Sequence, residues 1–471
     1  MSFKRMPLLI TLLALIFFRF YDLNLRPIHH DESVNGWFVD GMFKNGFYNY
    51  DPNNYHGPLY FYFLALGELV FGRSVEVLRS VTIFFGALLT FVPFLYRRWI
   101  GERASWIGAF ALALSPAIVF YSRYAIHEVP FALFTSVFFY YWIRAREEDF
   151  NLGNMIGLGL SLGTIACLKE NFVIFLGCLC IGECMVRFYK KDWVLPKNYF
   201  FNLGALLIAL IFVGLVYSAF GRDEDGVTNF FAAFNLWSHT GSSGNGHQKP
   251  FYYWLKVIGA FEWPTLLGLI LAPLSLLRVN QSFRLLSVVS VGVWMAYSIV
   301  NYKTPWCLLS FQWGFVLVFS YWASEFYDRF KLIAISLMAV LAIHSGYQAY
   351  EAAYVNVDSD DNFYVYGQTF REIMQPINGV LDRVKADPGL KSTLKITVVS
   401  QFTWPLPYLF GEIKSVSYLN DSNVPLKLEG DYIFIDESLD QKYHQIIVGD
   451  YRREVYRARQ WASPMVVYTR K

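Results

Sequence analysis

Long apolar stretches recur along this chain, near residues 7–20, 77–96, 104–121, 128–143, 153–168, 171–186, 199–219, 252–277, 285–300, 306–323 and 331–347. That recurrence constrains the fold more than any other feature. About 20 apolar residues in helical form match the hydrocarbon core of a bilayer, and a helix satisfies its own backbone groups inside lipid. With 55% hydrophobic and 19% aromatic residues against 16% charged, and a mean hydropathy of +0.33, the chain is too apolar for an ordinary soluble enzyme. The expectation is a mainly α-helical, polytopic transmembrane bundle of about 11 spans.

Charge fixes the expected topology. The first apolar segment follows Lys4 and Arg5 as in a signal peptide, but Arg19-Phe-Tyr-Asp-Leu-Asn24 offers no small-residue cleavage site, so it reads as an uncleaved anchor. Residues 58–71 are apolar but would reach only roughly 21 Å as a helix, against a core of about 30 Å. They are expected to lie along or dip into the outer leaflet. Arg97, Arg98 and Arg103, then Arg144 and Arg146, then Arg187, Lys190, Lys191 and Lys197, then Arg278, Arg284, Arg329 and Lys331 all fall on the cytoplasmic side of the cytoplasmic (inner) membrane. The outer side receives the loops 21–76 and 220–250. His239, His247 and Gly241-Ser-Ser-Gly-Asn-Gly246 in the latter suggest either a mobile cover or a plain connector.

From about residue 350 the composition is that of a soluble domain, with strands expected at 394–400, 431–436 and 464–468 and helices at 368–386 and 440–458. The organisation is thus a membrane domain over 1–349 and a small α/β domain over 350–471, placed on the extracytoplasmic (periplasmic) side. Cys167, Cys178, Cys180, Cys184 and Cys307 all lie in apolar stretches and read as small hydrophobes. A net charge of +3 and no long basic run argue against nucleic acid as a partner; the lipid bilayer is the expected one.

Ionisable residues gather on the expected outer face. Arg26-Pro-Ile-His-His-Asp-Glu-Ser33 opens a segment in which Val34, Trp37, Phe38 and Met42 have helical spacing. Asp31 is either the N-cap of that helix, with Glu32 favoured by the dipole, or a reactive carboxylate; both readings are open from the sequence. Arg123, His127 and Glu128 stand at the start of a span, Lys169 and Glu170 interrupt an apolar run, and Lys303 precedes Pro305. Lone interfacial cations usually snorkel to the headgroups, yet together these residues offer a base, imidazoles (His30, His56, His127) and cations (Arg123, Lys169, Lys303). That inventory suits glycosyl transfer from a lipid phosphate. The leaving phosphate is already anionic and needs cations, while the incoming hydroxyl must lose a proton to a base.

At these residues the chain resembles the GT-C superfamily of polytopic glycosyltransferases, in the branch of protein O-mannosyltransferases and the lipid A aminoarabinose transferase. The resemblance rests on Asp31-Glu32 after the first span, on His56-Gly-Pro-Leu-Tyr60 before a short apolar helix, and on Ser115-Pro116 leading to Arg123 and Glu128. His29-His-Asp-Glu-Ser33, Tyr55-His-Gly-Pro58, Tyr124-Ala-Ile-His-Glu128 and Phe402-Thr-Trp-Pro-Leu-Pro407 look like the subfamily of flippase-activity-associated proteins. The resemblance implies an inverting transferase with a polyprenyl-phosphate sugar donor and a lipid, glycan or protein acceptor. In that scheme Asp31 is general base, Glu32 and Glu128 orient the acceptor or a cation, and Lys169, Lys303 and Arg123 hold the phosphate. His30, His56, His127 and Tyr55 line the substrate. Either no cofactor is required, or Mg or Mn sits on Asp31, Glu128 and His127. In the branch named above an Asp stands where this chain has Glu128. A glycolipid flippase or flippase accessory is the rival reading.

Overall fold

The computed structural model describes residues 6–148, 151–190, 199–243, 246–278 and 280–471; Lys4, Arg5, Lys191 and Lys197 lie outside the described residues. The chain divides into two compact units, Met1–Leu23 with Asn45–Val355, and Asn24–Lys44 with Asn356–Lys471. The segment that carries Asp31 therefore belongs with the C-terminal domain rather than with the apolar helices around it in sequence.

The first unit is helical, with a helix or helix pair at every position where an apolar stretch was expected. Among the described residues four helices are long and apolar enough to cross a membrane: Phe172–Tyr189, Gln281–Ile299, Pro305–Arg329 and Lys331–Val355. The number is up to six if each bent pair counts as one span. Pro7–Phe20, Leu59–Phe71, Leu152–Leu168 and Phe201–Tyr217 are apolar but shorter. Leu203, Leu206, Leu207, Leu210 and Ile211 all point outward from one of these. Such a large exposed apolar face belongs in lipid, and the chain is a multi-pass membrane protein. Where helices Leu152–Leu168 and Tyr199–Tyr217 touch, a Cβ on Gly159 would stand 2.6 Å from the Ala205 carbonyl oxygen, so only glycine admits that approach.

Two expected straight spans are broken. The stretch 104–121 bends by 59° between Glu102–Leu114 and Pro116–Ser122. Pro116 has no N–H to give to the Leu112 carbonyl. The buried guanidinium of Arg19 donates there instead, at 3.2 Å, and to the Ala113 oxygen at 3.1 Å. The stretch 252–277 turns by 119° at Glu262, just before Pro264. Buried Glu262 accepts from Ala117 N–H (2.6 Å), from the Ser115 hydroxyl (3.1 Å) and from the Gln312 amide (2.6 Å), tying both breaks to a third helix. The expected loop 220–250 is also different, because Gly226–Ser243 is a helix. Phe230 and Phe234, one turn apart, pack edge to face at 5.0 Å, a helical signal masked in the sequence by the Gly/Ser run that follows. Of that run, residues 244 and 245 lie outside the described residues.

The second unit is a five-stranded mixed sheet, with β1 (Lys395–Val399), β2 (Ser415–Leu419), β3 (Tyr432–Asp436), β4 (Tyr451–Tyr456) and β5 (Met465–Arg470) in the order β2-β1-β3-β5-β4. β1 runs parallel to β2 and β3, while β5 runs antiparallel to β3 and β4. Helix Arg371–Ala386 lays Ile373, Ile377, Val380 and Val384 on one face of the sheet, against Ile396, Val398 and Phe434. That spacing is one apolar stripe of a helix. In place of the helix expected over 440–458 stand a short helix, Glu437–Tyr443, and β4, an edge strand whose charged Arg452, Arg453 and Glu454 dilute its apolar signal. Helix His30–Asn45 completes the unit. It buries Ser33, Gly36, Val39 and Met42, while Trp37 is exposed, a different face from the Val34–Trp37 stripe.

Candidate active site

In the second unit the start of helix His30–Asn45 is organised by His29, not by Asp31. The His29 carbonyl accepts from Ser33 N–H (3.0 Å), which makes His29 the N-cap. Its Nδ1 accepts from Asp31 N–H (3.0 Å), and Glu32 closes the box by accepting from His29 N–H (3.0 Å). Glu32 is fully buried and sits 3.6 Å from the Arg26 guanidinium. These contacts use the Asp31 backbone N–H; its side chain is 39% exposed and 3.9 Å from the His29 ring. His30 is held next door. The Arg459 guanidinium donates to its Nδ1 at 3.0 Å, which leaves the proton on Nε2, and Trp404 meets the ring edge to face at 6.0 Å. Trp404 also meets Trp37 at 6.0 Å.

Because His29 Nδ1 accepts, its Nε2–H donates to the Tyr366 carbonyl at 2.8 Å. Burial, working against the nearby Asp31 carboxylate, pushes its pKa down to about 4; burial likewise lowers that of His30. A folded-state value below the ordinary 6.5 means that the unfolded segment takes the proton first as pH falls. The stabilisation is full above about 6.5 and drains toward about 4, a span worth about 3 kcal/mol. Protonated Nδ1 can no longer accept from Asp31 N–H. Hydrogen-exchange protection of residues 30–34, corrected for intrinsic rates, is expected to fall across this window; constant protection would rule out the imidazole cap.

In the first unit, loop Tyr55-His56-Gly57 is clamped to the end of helix Leu152–Leu168. Gly57 N–H donates to the Leu168 carbonyl at 3.2 Å, and a Cβ on Gly57 would lie 2.1 Å from the Cys167 oxygen. The clamp places His56 Nδ1 at 3.0 Å from buried Glu170. If Nδ1 carries the proton, Nε2 of this ring, whose side chain is 28% exposed, is left as the outward nitrogen. His127 lies beneath, its ring 4.9 Å from His56, 4.6 Å from Tyr60 and 5.1 Å from Phe61. It is only 2% exposed, and its Nε2 has no hydrogen-bond partner. Burial first, then the His56 and Lys169 charges, hold it well below the usual imidazole range and therefore neutral. Lys169 and Glu128 form a buried ion pair. Burial works to lower the Lys169 ammonium, but Glu128 and Glu170 outweigh it and hold it well above its ordinary value. Burial would raise Glu170, and His56 more than offsets that, so its carboxyl stays low.

The structure thus brings His56, His127, Glu128, Lys169 and Glu170 together, with Tyr55 beside His56 at a ring distance of 5.1 Å. Arg123 is not directed at this cluster. Its guanidinium donates to the carbonyls of Tyr21 (2.6 Å) and Asp22 (2.6 Å) just past the first helix and stacks on Tyr354. Lys303, buried, donates to the Lys249 carbonyl at 3.1 Å and to the Val300 carbonyl, and burial lowers its pKa. Among the described residues no three His, Cys, Asp or Glu side chains gather as a cation site. Glu128, one of the expected Mg or Mn ligands, is paired with the Lys169 ammonium. Sequence reasoning missed the roles of Glu170 and Arg459. Glu170 was visible only as a charge between two apolar runs, and Arg459 gave no signal.

The family model for dolichyl-phosphate-mannose-protein mannosyltransferases matches residues 55–218, a stretch that contains His56, His127, Glu128, Lys169 and Glu170. An uncharacterised protein of Aquifex aeolicus is 24% identical over 172 residues, 34% of each chain, so the match spans about a third of that relative. The solved structure of ArnT from Cupriavidus metallidurans bound to undecaprenyl phosphate superposes with a TM-score of 0.68 at 14% identity, covering 98% of this chain and 97% of that one. The archaeal oligosaccharyltransferase AglB of Archaeoglobus fulgidus, in complex with an inhibitory peptide and a dolichol-phosphate, gives 0.61 at 13% identity, covering 95% and 71%. The chain shares the fold of these two solved structures over nearly its whole length.

Proposed function

We propose that this protein transfers a sugar from a polyprenyl-phosphate donor to a hydroxyl of a lipid, glycan or protein acceptor, with inversion, at the extracytoplasmic face of the cytoplasmic membrane. The observation that carries the reading is the Asp31 carboxylate, 39% exposed at the start of a helix where His29 and Glu32 make capping contacts. The likeness in fold to ArnT over nearly the whole chain supports the donor class. In a single displacement the acceptor oxygen bonds to the anomeric carbon as the bond to the phosphate oxygen breaks. Asp31 takes the hydroxyl proton, and polyprenyl phosphate leaves as an anion that needs no acid.

The cations differ in what they can give to that anion. Lys169 is compensated by Glu128 and Glu170, and Arg123, besides donating to backbone carbonyls, is covered by the Tyr354 ring. Lys303 has carbonyl partners, and burial works against its charge, so an approaching phosphate stabilises its protonated form. Lys303 is therefore assigned to the donor phosphate, with Lys169 setting the local field and Glu128 fixing Lys169. In purified membranes given polyprenyl phosphate carrying a labelled sugar, label is expected to appear in acceptor with inverted anomeric configuration. Lys303→Ala is expected to raise the donor KM about tenfold, the loss of one charge-assisted contact of about 1.4 kcal/mol. An unchanged donor KM moves the phosphate elsewhere. Donor crossing proteoliposomes with no product formed would replace transfer by the carrier reading.

A further inference from the structure

Outside the residues assigned above, the second unit carries a groove of about 550 Å³ at the carboxyl ends of β1 and β2. Volumes of this order accommodate small ligands. The floor is rigid. Buried Asp436, at the end of β3, accepts from the Ser400 hydroxyl (2.8 Å) and from Gln401 N–H (3.2 Å), and Ser400 Oγ accepts from Phe402 N–H (2.9 Å). Three lining groups, the Gln401 amide, the Thr403 hydroxyl and the Tyr418 phenol, are not consumed by the hydrogen bonds that build the floor.

The charge of the lining decides the ligand class. Among the described residues no Lys or Arg lines the groove, so it lacks the lining cations that favour a phosphate. Its carboxylate, Asp421, is already engaged by Lys442 Nζ (2.8 Å) and the Tyr443 hydroxyl (2.7 Å). What remains is an amide, a hydroxyl and an aromatic ring with a polar tip, groups that satisfy a neutral polyhydroxylated ring. The same segment, 400–407, carries Trp404, which packs on His30 and Trp37 next to Asp31.

We infer that this groove is a sugar-binding subsite for the acceptor, so that the acceptor already carries a neutral glycan. This rests on the transferase reading for the word acceptor, while the binding itself does not. The full chain in nanodiscs, probed by saturation-transfer NMR with methyl glycosides of common hexoses and pentoses, is expected to show transfer to at least one of them. Gln401→Leu with Thr403→Val is expected to cut that signal at least fivefold. Gln401 is exposed and Thr403 partly so, and an unchanged thermal unfolding curve establishes that the loss is local. No transfer to any glycoside, or wild-type binding by the double variant, overturns the subsite. Displacement of the glycoside by added polyprenyl-phosphate sugar overturns its assignment to the acceptor. Glycoside binding by a wild-type protein that never transfers label leaves the groove standing and removes the transferase. Transfer with glycoside binding indifferent to these substitutions does the reverse.

Discussion

Replacing Asp31 by Asn is expected to lower kcat by about 10²- to 10⁴-fold, the usual contribution of a positioned general base, with stability changed by no more than about 0.5 kcal/mol. The second half of this expectation is what the structure adds. Were Asp31 the N-cap, its loss would loosen the helix and confuse activity with folding. His29 and Glu32 already make the capping contacts, and the Asp31 N–H that His29 accepts is kept by asparagine. Turnover of labelled donor and a thermal unfolding curve on the same preparation check both halves. Wild-type turnover would remove the assigned base, and inactivity that comes with unfolding would return Asp31 to a structural role.

The second large effect concerns Lys169 and Glu128. Lys169→Met leaves the Glu128 carboxylate buried without its ammonium, and Glu128→Leu leaves the ammonium without its main counter-charge. Either is expected to cost about 3–5 kcal/mol. Combining Lys169→Met with Glu128→Leu removes both charges and is expected to recover stability to within about 1 kcal/mol of the parent, since a buried pair is often replaceable by apolar groups of similar volume. Transfer should stay lost in the double variant. Thermal unfolding of the four proteins forms a cycle, and additive losses in place of recovery would show that the two side chains act separately.

Much of the architecture was legible in the chain because a lipid-embedded helix must be apolar along its length. What escaped was set by contacts distant in sequence. The break at Ser115–Pro116 has a local cause in proline, and its repair by Arg19 does not. The central strands β1, β3 and β5 announce themselves by buried apolar runs, whereas β2 and β4, the two edges of the sheet, have exposed positions and went unread or were taken for helix. In the site, the titratable residues of the loops were visible as charges among apolar neighbours, but their pairings were not. Propensity favours Asp at an N-cap, and only the backbone geometry shows that the cap lies two residues earlier, on His29. Arg459 reaches His30 across a sequence separation of 429 residues, which no local pattern reports.

The carboxylate of Glu262 collects donors from Ser115, Ala117 and Gln312, groups spread over most of the membrane unit. A nascent chain holds an incomplete set until residue 312 has been made, so the two kinked segments acquire their final angles together and late. Proline interrupts the helix locally, while the angle at each break is fixed by contacts that only the assembled bundle supplies.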